Sequence, residues 1–548
     1  MAVRFSIILL AIFCAYALLV FNLYDLQVVQ GKRYVARADS QSSGVDWQVA
    51  RRGSIFFTDR NDNSMQIATV KDVSFLYAIP KDMNDIAETA HQLAPVIGQS
   101  ADELITTFEK KKQVVLDKKP SAELVNKVRD LKLKGIYDTF KPTRFYPLDS
   151  LAAHLIGFVG PDSEGVGESG RYGAEKFYDE KLKGGVLKEG EKTVDQGEDL
   201  YLTIDPNIQK EAEKILSDIV NRFGAAGGLA MVQDPRTGKV LALAGEPTFN
   251  PNTYKESELG TFLNPATQKL YEPGSIFKVL TMAAGIDAGK ITPNTTYVDK
   301  GKMTINGRTV SNWDYKTHGA YGQVTMTNVI EHSINTGAIF AEKTTGHKIF
   351  TNYMKKFGLG EKTEIELPGE LGGNLNRLND NEPDVAFATA AYGQGVAVTP
   401  IGLLSSVSAI ANKGLLMKPY INTEGTSTVV RRVISEKTAK QVTDMMVSAV
   451  RVNKAGHIPG YSIAAKTGTA FIPDFNHGGY TTDVFNTYIG YAPAYDPRFI
   501  VFFRLERPQG APLAGTSVVP AFREMAQFLI NYYDISPDRP EETQKSKL

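Results

Sequence analysis

Three short polar clusters have the residue types and spacing from which a reaction can be written. In Gly274-Ser275-Ile276-Phe277-Lys278 a hydroxyl and an amine stand three residues apart, just after Pro273. The apolar residues Ile276, Phe277, Val279, Leu280, Ala283, Ala284 and Ile286 recur at helical spacing as far as Gly289, so Ser275 is expected to open a buried helix. Residues three apart on a helix share a face, which sets Lys278 beside Ser275. At a helix N-terminus, unpaired N–H groups and the dipole favour the negative charge that develops during acyl transfer. A serine is a weak nucleophile until a base takes its proton. A lysine serves as that base only when neutral, a state that burial and a neighbouring cation both favour.

A single S-x-x-K arises by chance roughly once or twice in a chain of this size. Here Ser333-Ile334-Asn335 follows, and Lys466-Thr467-Gly468-Thr469 after it, an ordered set that is much rarer. Taken alone, Ser-Ile-Asn reads as a helix cap on a turn between two helices. Beside Lys278, the Ser333 hydroxyl would relay a proton to a leaving amine, and the Asn335 amide would hold a peptide carbonyl and Lys278. Lys466 through Thr469 is expected to lie in a strand, with Lys466 supplying positive charge for a substrate carboxylate and lowering the Lys278 pKa. Thr467 and Thr469 would add hydroxyl hydrogen bonds, and Gly468 would let the substrate backbone approach closely. Lys278 is the expected acylation base, with Ser333 and Lys466 the next candidates.

In this order the clusters resemble the active site of the penicillin-recognising serine transferases and hydrolases, which include penicillin-binding proteins and serine β-lactamases. The segments Ala391-Tyr392-Gly393-Gln394-Gly395-Val396-Ala397-Val398-Thr399-Pro400, Leu229 to Lys239, and Arg52-Gly53-Ser54-Ile55 with Asp59-Arg60-Asn61 are similar to class B penicillin-binding proteins, the monofunctional peptidoglycan D,D-transpeptidases. The resemblance implies that the Thr469 and Ser275 N–H groups form the oxyanion hole and that the substrate is a stem peptide ending in D-Ala-D-Ala. It also implies that β-lactams acylate the serine by mimicking that terminus. Asn335 and the segment from Tyr392 to Pro400 look more like the septal, cell-division branch. Two other readings stay open: an acyl-serine hydrolase (a D,D-carboxypeptidase or β-lactamase) in which water replaces the acceptor amine, and a non-catalytic β-lactam sensor or division scaffold.

The elements that must position these clusters suggest an α+β protein. Strands are expected at 228–233 and 239–244, joined by the turn Asp234-Pro235-Arg236-Thr237-Gly238, and at 462–470, 485–491 and 499–505. That is enough for one five-stranded antiparallel sheet, with a helical region over 264–412 inserted between strand pairs and helices near 206–221 and 519–533. A strand at 201–205 would open this transpeptidase (penicillin-binding) domain, placed at 200–535. Residues 25–195 form a stalk and a mixed α/β pedestal or dimerisation domain, in which Ala122, Leu124, Val125, Val128 and Leu131 mark an amphipathic helix. The resemblance makes this pedestal the contact with other division or elongation proteins. Residues 536–548 are a short polar tail expected to be disordered.

Phe5 to Tyr24 is an uncharged run of 20 residues, long enough to span a bilayer, so 1–24 is expected to be a retained transmembrane anchor rather than a cleaved signal. Arg4 precedes it while Lys32, Arg33 and Arg37 follow, so flanking charge does not orient the span. The chemistry does, placing the catalytic domain outside the cell membrane. Lys plus Arg equals Asp plus Glu at 61 each, which removes the electrostatic case for nucleic acid. Cys14 is the only cysteine and the seven histidines are scattered, so neither a metal nor another cofactor is predicted. No second catalytic set marks a glycan polymerase, and the family resemblance points to a polytopic membrane glycosyltransferase as partner.

Overall fold

The computed structural model describes residues 51–162, 168–184, 196–474, 477–511 and 513–540, with the single positions Ser6, Tyr16 and Glu542. Apart from Ser6 and Tyr16, the expected anchor and stalk lie outside the described residues. No described helix is long and apolar enough to cross a membrane.

The N-terminal part is built on strands β1 (Ile55–Thr58), β2 (Ser64–Ala78), β3 (Val114–Asp117), β4 (Ile136–Phe145) and β5 (Leu200–Leu202). Their order is β3-β2-β1-β5, with β4 also paired to the long β2. Helices α1 (Ile86–Ile97), α2 (Ala101–Lys110) and α3 (Ala122–Asp130) close a small core around Leu76, Leu93, Phe108 and Val125. Helix α3 is the amphipathic helix expected from the Ala122 to Leu131 pattern, and Ser121 caps it by accepting from the Leu124 N–H.

One sequence expectation is corrected at β5. That strand does not open the second sheet but runs parallel to β1, pairing Ile55 with Leu200 and Phe57 with Leu202, while the Phe56 and Tyr201 rings stack at 4.9 Å. The chain then crosses over, with the Asp205 N–H donating to Leu241. The Arg52-Gly53 segment locks this crossing. Glu175, with no exposure, accepts from Arg52 Nε at 2.7 Å and Arg144 Nε at 2.6 Å, and Arg52 also pairs with Asp179 at 2.7 Å. A side chain at Gly53 would meet the Glu198 carbonyl at 2.0 Å, so only glycine fits.

The second sheet comprises β6 (Gly227–Gln233), β7 (Val240–Glu246), β8 (Ala464–Pro473), β9 (Tyr480–Ala492) and β10 (Phe499–Glu506). Its order is β8-β9-β10-β6-β7, and every neighbouring pair is antiparallel. On one face pack α4 (Pro206–Arg222) and the C-terminal helix at Ala514–Tyr532, through Ile208, Ile215, Val518 and Phe522. On the other face lies the helical region, whose central helix α5 (Phe277–Asp287) is buried over its first ten residues. A helix apolar all round belongs in a core, and Lys278 is the one basic exception in it. Between the helices stand two short hairpin-like pairs, 296–299 with 322–325 and 302–305 with 308–311, which the helical expectation for 264–412 omitted.

The tail expectation is corrected in part. Asp538 accepts from the Ser462 N–H at 2.8 Å, the Arg539 N–H donates to Gly460, and Glu542 meets His457 at 3.3 Å. These contacts hold the start of the tail beside the entry to β8.

Removing one partner of a buried ion cluster leaves the others uncompensated, at a cost of about 3–5 kcal/mol. Glu175→Ala is therefore expected to lower stability by about that amount, measured by denaturant unfolding. A loss below about 1 kcal/mol would contradict this account of the crossing.

Candidate active site

Ser275 lies in a single 3-10 turn, Gly274–Ile276, which runs directly into α5. Gly274 has φ +58° and its N–H donates to the Gly393 carbonyl at 3.0 Å. A Cβ on Gly393 would fall 2.2 Å from the Gly274 carbonyl oxygen. The Tyr-Gly-Gln-Gly segment thus braces the nucleophile turn from behind, a role the sequence did not disclose. Two further contacts join the same brace: Glu272 accepts from the Gly395 N–H at 3.0 Å, and Tyr271 and Val398 exchange backbone hydrogen bonds.

One helical turn on, Lys278 Nζ lies 3.0 Å from Ser275 Oγ, 2.8 Å from Asn335 Oδ1, 3.1 Å from Ser333 Oγ and 2.5 Å from the Ser333 carbonyl. Ser333 sits between α6 (Met326–Glu331) and α7 (Asn335–Thr345) with φ +55°, a left-handed conformation unusual for serine. It makes no capping hydrogen bond to α7. Its hydroxyl instead accepts from Lys278 and, at 2.9 Å, from Lys466. Two buried amines therefore converge on one hydroxyl.

A network absent from the sequence argument holds Asn335. Asp299, 1 % exposed, accepts from Thr336 Oγ1 at 2.5 Å, Asn312 Nδ2 at 3.1 Å and the Tyr321 N–H at 2.9 Å. Asn335 Nδ2 in turn donates to the Ser311 carbonyl at 3.0 Å. The amide is thereby fixed with its oxygen toward Lys278. No local pattern ties Asp299 to Thr336, because the contact depends on how two separate segments fold together.

Strand β8 places Lys466 on the inner face, and alternation puts Gly468 there as well. Packing gives Gly468 a reason beyond the substrate approach expected for it: a side chain there would meet Thr487 Oγ1 at 2.2 Å and the Pro273 carbonyl at 3.0 Å. Gly468 lets the nucleophile turn approach the strand. Thr469 departs from expectation. Its hydroxyl is committed to Asn486 Oδ1 and the Ala514 N–H, each at 3.3 Å, whereas Thr467 Oγ1 stays 3.4 Å from Lys466 Nζ. Ser275, Ser333, Lys466, Thr467 and Thr469 all line one cleft of about 830 Å³, walled on one side by Trp313.

Burial is the first cause that pushes the Lys278 amine well below its ordinary pKa, and the nearby Lys466 charge is the second. Burial lowers Lys466 to about 7. An unprotonated amine 3.0 Å from a hydroxyl is a base in reach of its proton.

The penicillin-binding-protein transpeptidase model matches residues 228–527, and the penicillin-binding-protein dimerisation model matches residues 48–206. The chain belongs to the penicillin-binding-protein transpeptidase family. It is 31% identical to stage V sporulation protein D of Bacillus subtilis, covering 90% of this chain and 80% of that protein. It is 28% identical to the peptidoglycan D,D-transpeptidase FtsI of Escherichia coli, over 98% of this chain and 92% of the relative. Among solved structures, penicillin-binding protein 3 of Mycobacterium tuberculosis in complex with aztreonam superposes with TM-score 0.68 at 26% identity, covering 90% and 98% of the two chains. The fold is accordingly the penicillin-binding α+β fold, a dimerisation domain followed by a transpeptidase domain.

The paired amines of this transpeptidase domain give a signed pH dependence. Acylation should rise with pH as Lys278 loses its proton. It should fall again above about 7, as Lys466 loses the charge that would hold a carboxylate. In Lys466→Gln the second cause of the Lys278 depression is gone, so the rising limb should move to higher pH. Penicillin acylation rates measured across pH would show this, and a limb shifting to lower pH would contradict it.

Proposed function

We propose that this chain is a peptidoglycan D,D-transpeptidase that cross-links stem peptides in wall synthesis. The carrying observation is the 3.0 Å approach of Lys278 Nζ to Ser275 Oγ in a setting where Lys278 is wholly buried. Ser275 Oγ attacks the carbonyl of the penultimate D-Ala while its proton passes to Lys278 Nζ. The oxyanion is held by the N–H groups of Ser275 and Thr469, and Lys466 with Thr467 takes the terminal carboxylate. Collapse breaks the peptide bond. The Ser333 hydroxyl, bonded to both amines, passes a proton to the departing D-Ala nitrogen and takes in its place the one held by Lys278, which is neutral again. An amine on a second strand then attacks the ester and gives its proton to Lys278, which returns it to Ser275 Oγ as the ester C–O bond breaks and the new cross-link forms.

Transfer is favoured over hydrolysis because no carboxylate among the described residues hydrogen-bonds Ser275, Lys278 or Ser333 to activate water. The apolar run from Phe5 to Tyr24 supports a single-pass anchor with the catalytic domain outside the cell membrane. Because the matched domains include no glycan polymerase, nascent strands come from a partner, a polytopic membrane glycosyltransferase. Asn335 and the 392–400 segment favour a septal role among division proteins. β-Lactams acylate the same serine, in keeping with the relative crystallised with aztreonam.

Ser275→Ala should abolish covalent labelling by a fluorescent penicillin and leave the unfolding midpoint nearly unchanged, since one half-exposed hydroxyl matters little to folding. Lys278→Arg cannot lose its proton and should acylate at least about 10²-fold more slowly. With purified precursor and the cognate polymerase, the full chain should yield cross-linked dimers. Trimmed monomers alone would identify a hydrolase, and no product despite normal penicillin labelling a sensor.

A further inference from the structure

Strand β10 sends one charged side chain into the interior. Arg504 is 2 % exposed, its Nε has no hydrogen-bond partner, and no carboxylate among the described residues pairs with it. Its guanidinium lies 5.0 Å from the centre of the Tyr271 ring and 5.3 Å from that of Phe485. The Tyr271 and Thr487 hydroxyls are also buried without a partner. The titratable groups facing it are Tyr271, from the segment leading to Ser275, and Glu506, two residues along the strand; from β9 it meets Phe485 and Thr487.

A guanidinium buried with no hydrogen-bonded carboxylate, Glu506 acting on it only through space, burdens the fold, and stacking on two rings offsets only part of that burden. The burden sits in a telling place. Gly468 pairs with Thr487 and Thr487 with Arg504, so one cross-strand row runs from the Lys466-Thr467-Gly468 strand to the arginine. Two strand spacings put the backbones of Gly468 and Arg504 roughly 10 Å apart. The Tyr271 ring under the guanidinium is four residues from Ser275, on the segment whose Pro273 carbonyl presses against Gly468.

We propose that Arg504 is a positioning residue of the acyl-transfer site: its sealed charge favours the anion formed beyond Gly468, and its stacking on Tyr271 steadies the turn that carries Ser275. This rests on the transpeptidase reading of the site. At roughly 10 Å and an effective dielectric of about 20, a unit charge changes the stability of a developing anion by about one decade in rate.

The test compares the full chain with Arg504→Met and Arg504→Lys, reading the second-order constant for acylation by a fluorescent penicillin and the unfolding midpoint. Arg504→Met should acylate about tenfold more slowly while its midpoint stays the same or rises, because a buried charge with no hydrogen-bonded carboxylate has been removed. The guanidinium stays charged at every working pH, whereas a buried amine does not. The ratio of Arg504→Lys to wild type should therefore lie near one at low pH and fall toward the Met value as pH rises. Wild-type acylation by Arg504→Met, a lowered midpoint in that variant, or a pH-independent Lys ratio would each overturn the proposal. Normal acylation in Arg504→Met would leave the Ser275 assignment standing, whereas an adduct on another residue in the wild-type chain would overturn both.

Discussion

The structure turns on an amine buried with no carboxylate to hydrogen-bond it. Lys278 has no exposed surface, and its partners are two hydroxyls, an amide oxygen and a carbonyl. Each of these oxygens can accept from the amine, and none carries a charge that would keep it protonated. An ordinary lysine would reach for water or a carboxylate. Here the surrounding helix α5 is apolar on every side, so the side chain cannot leave without abandoning the core. The same burial that penalises the ammonium makes the residue usable as a base, and a second depressed amine at Lys466 strengthens the effect.

The requirement that α5 be central dictates much of the rest. The nucleophile must sit where a buried helix meets a strand, so backbones have to approach closely from two sides. Gly393 allows contact with Gly274, and Gly468 allows the Pro273 carbonyl and Thr487 to close in. Larger residues at either point would displace the turn that carries Ser275. On the third side, Asp299 gathers Thr336, Asn312 and Tyr321 into a charge-assisted network that aims Asn335. The catalytic geometry is thus held by packing and by a buried carboxylate remote from the nucleophile.

What the sequence discloses follows the range of the interactions. Periodic apolar spacing over Ile276 to Ile286 marks a helix, and three residues of separation place Lys278 by Ser275, both local facts. The five strands of the transpeptidase sheet are equally legible, since each carries its own apolar run and turn residues. The Leu200–Leu202 strand misleads because a three-residue strand has no intrinsic partner, and its stacking on Phe56 comes from a segment far away in sequence. The packing partners of Gly468 and Thr469 are hidden for a related reason. Alternation along a strand says which side chains share a face but not what packs against that face, which here is Thr487 and Pro273 at Gly468 and Asn486 at Thr469. The short strand pairs that end at Asp299 and just before Asn312 are exposed in part, so their polar pattern reads as loop until the fold brings Thr336 to them.

The central claim, that Lys278 stands neutral beside Ser275 at working pH, is tested most directly by NMR titration of lysine side chains labelled with 13C at Cε, with the Lys278 signal assigned from its loss in Lys278→Arg. The account predicts that this signal titrates well below the ordinary lysine range, because burial and the nearby Lys466 charge both disfavour the ammonium. A Lys278 signal that remained protonated to pH values near those of a free lysine, about 10, would contradict it.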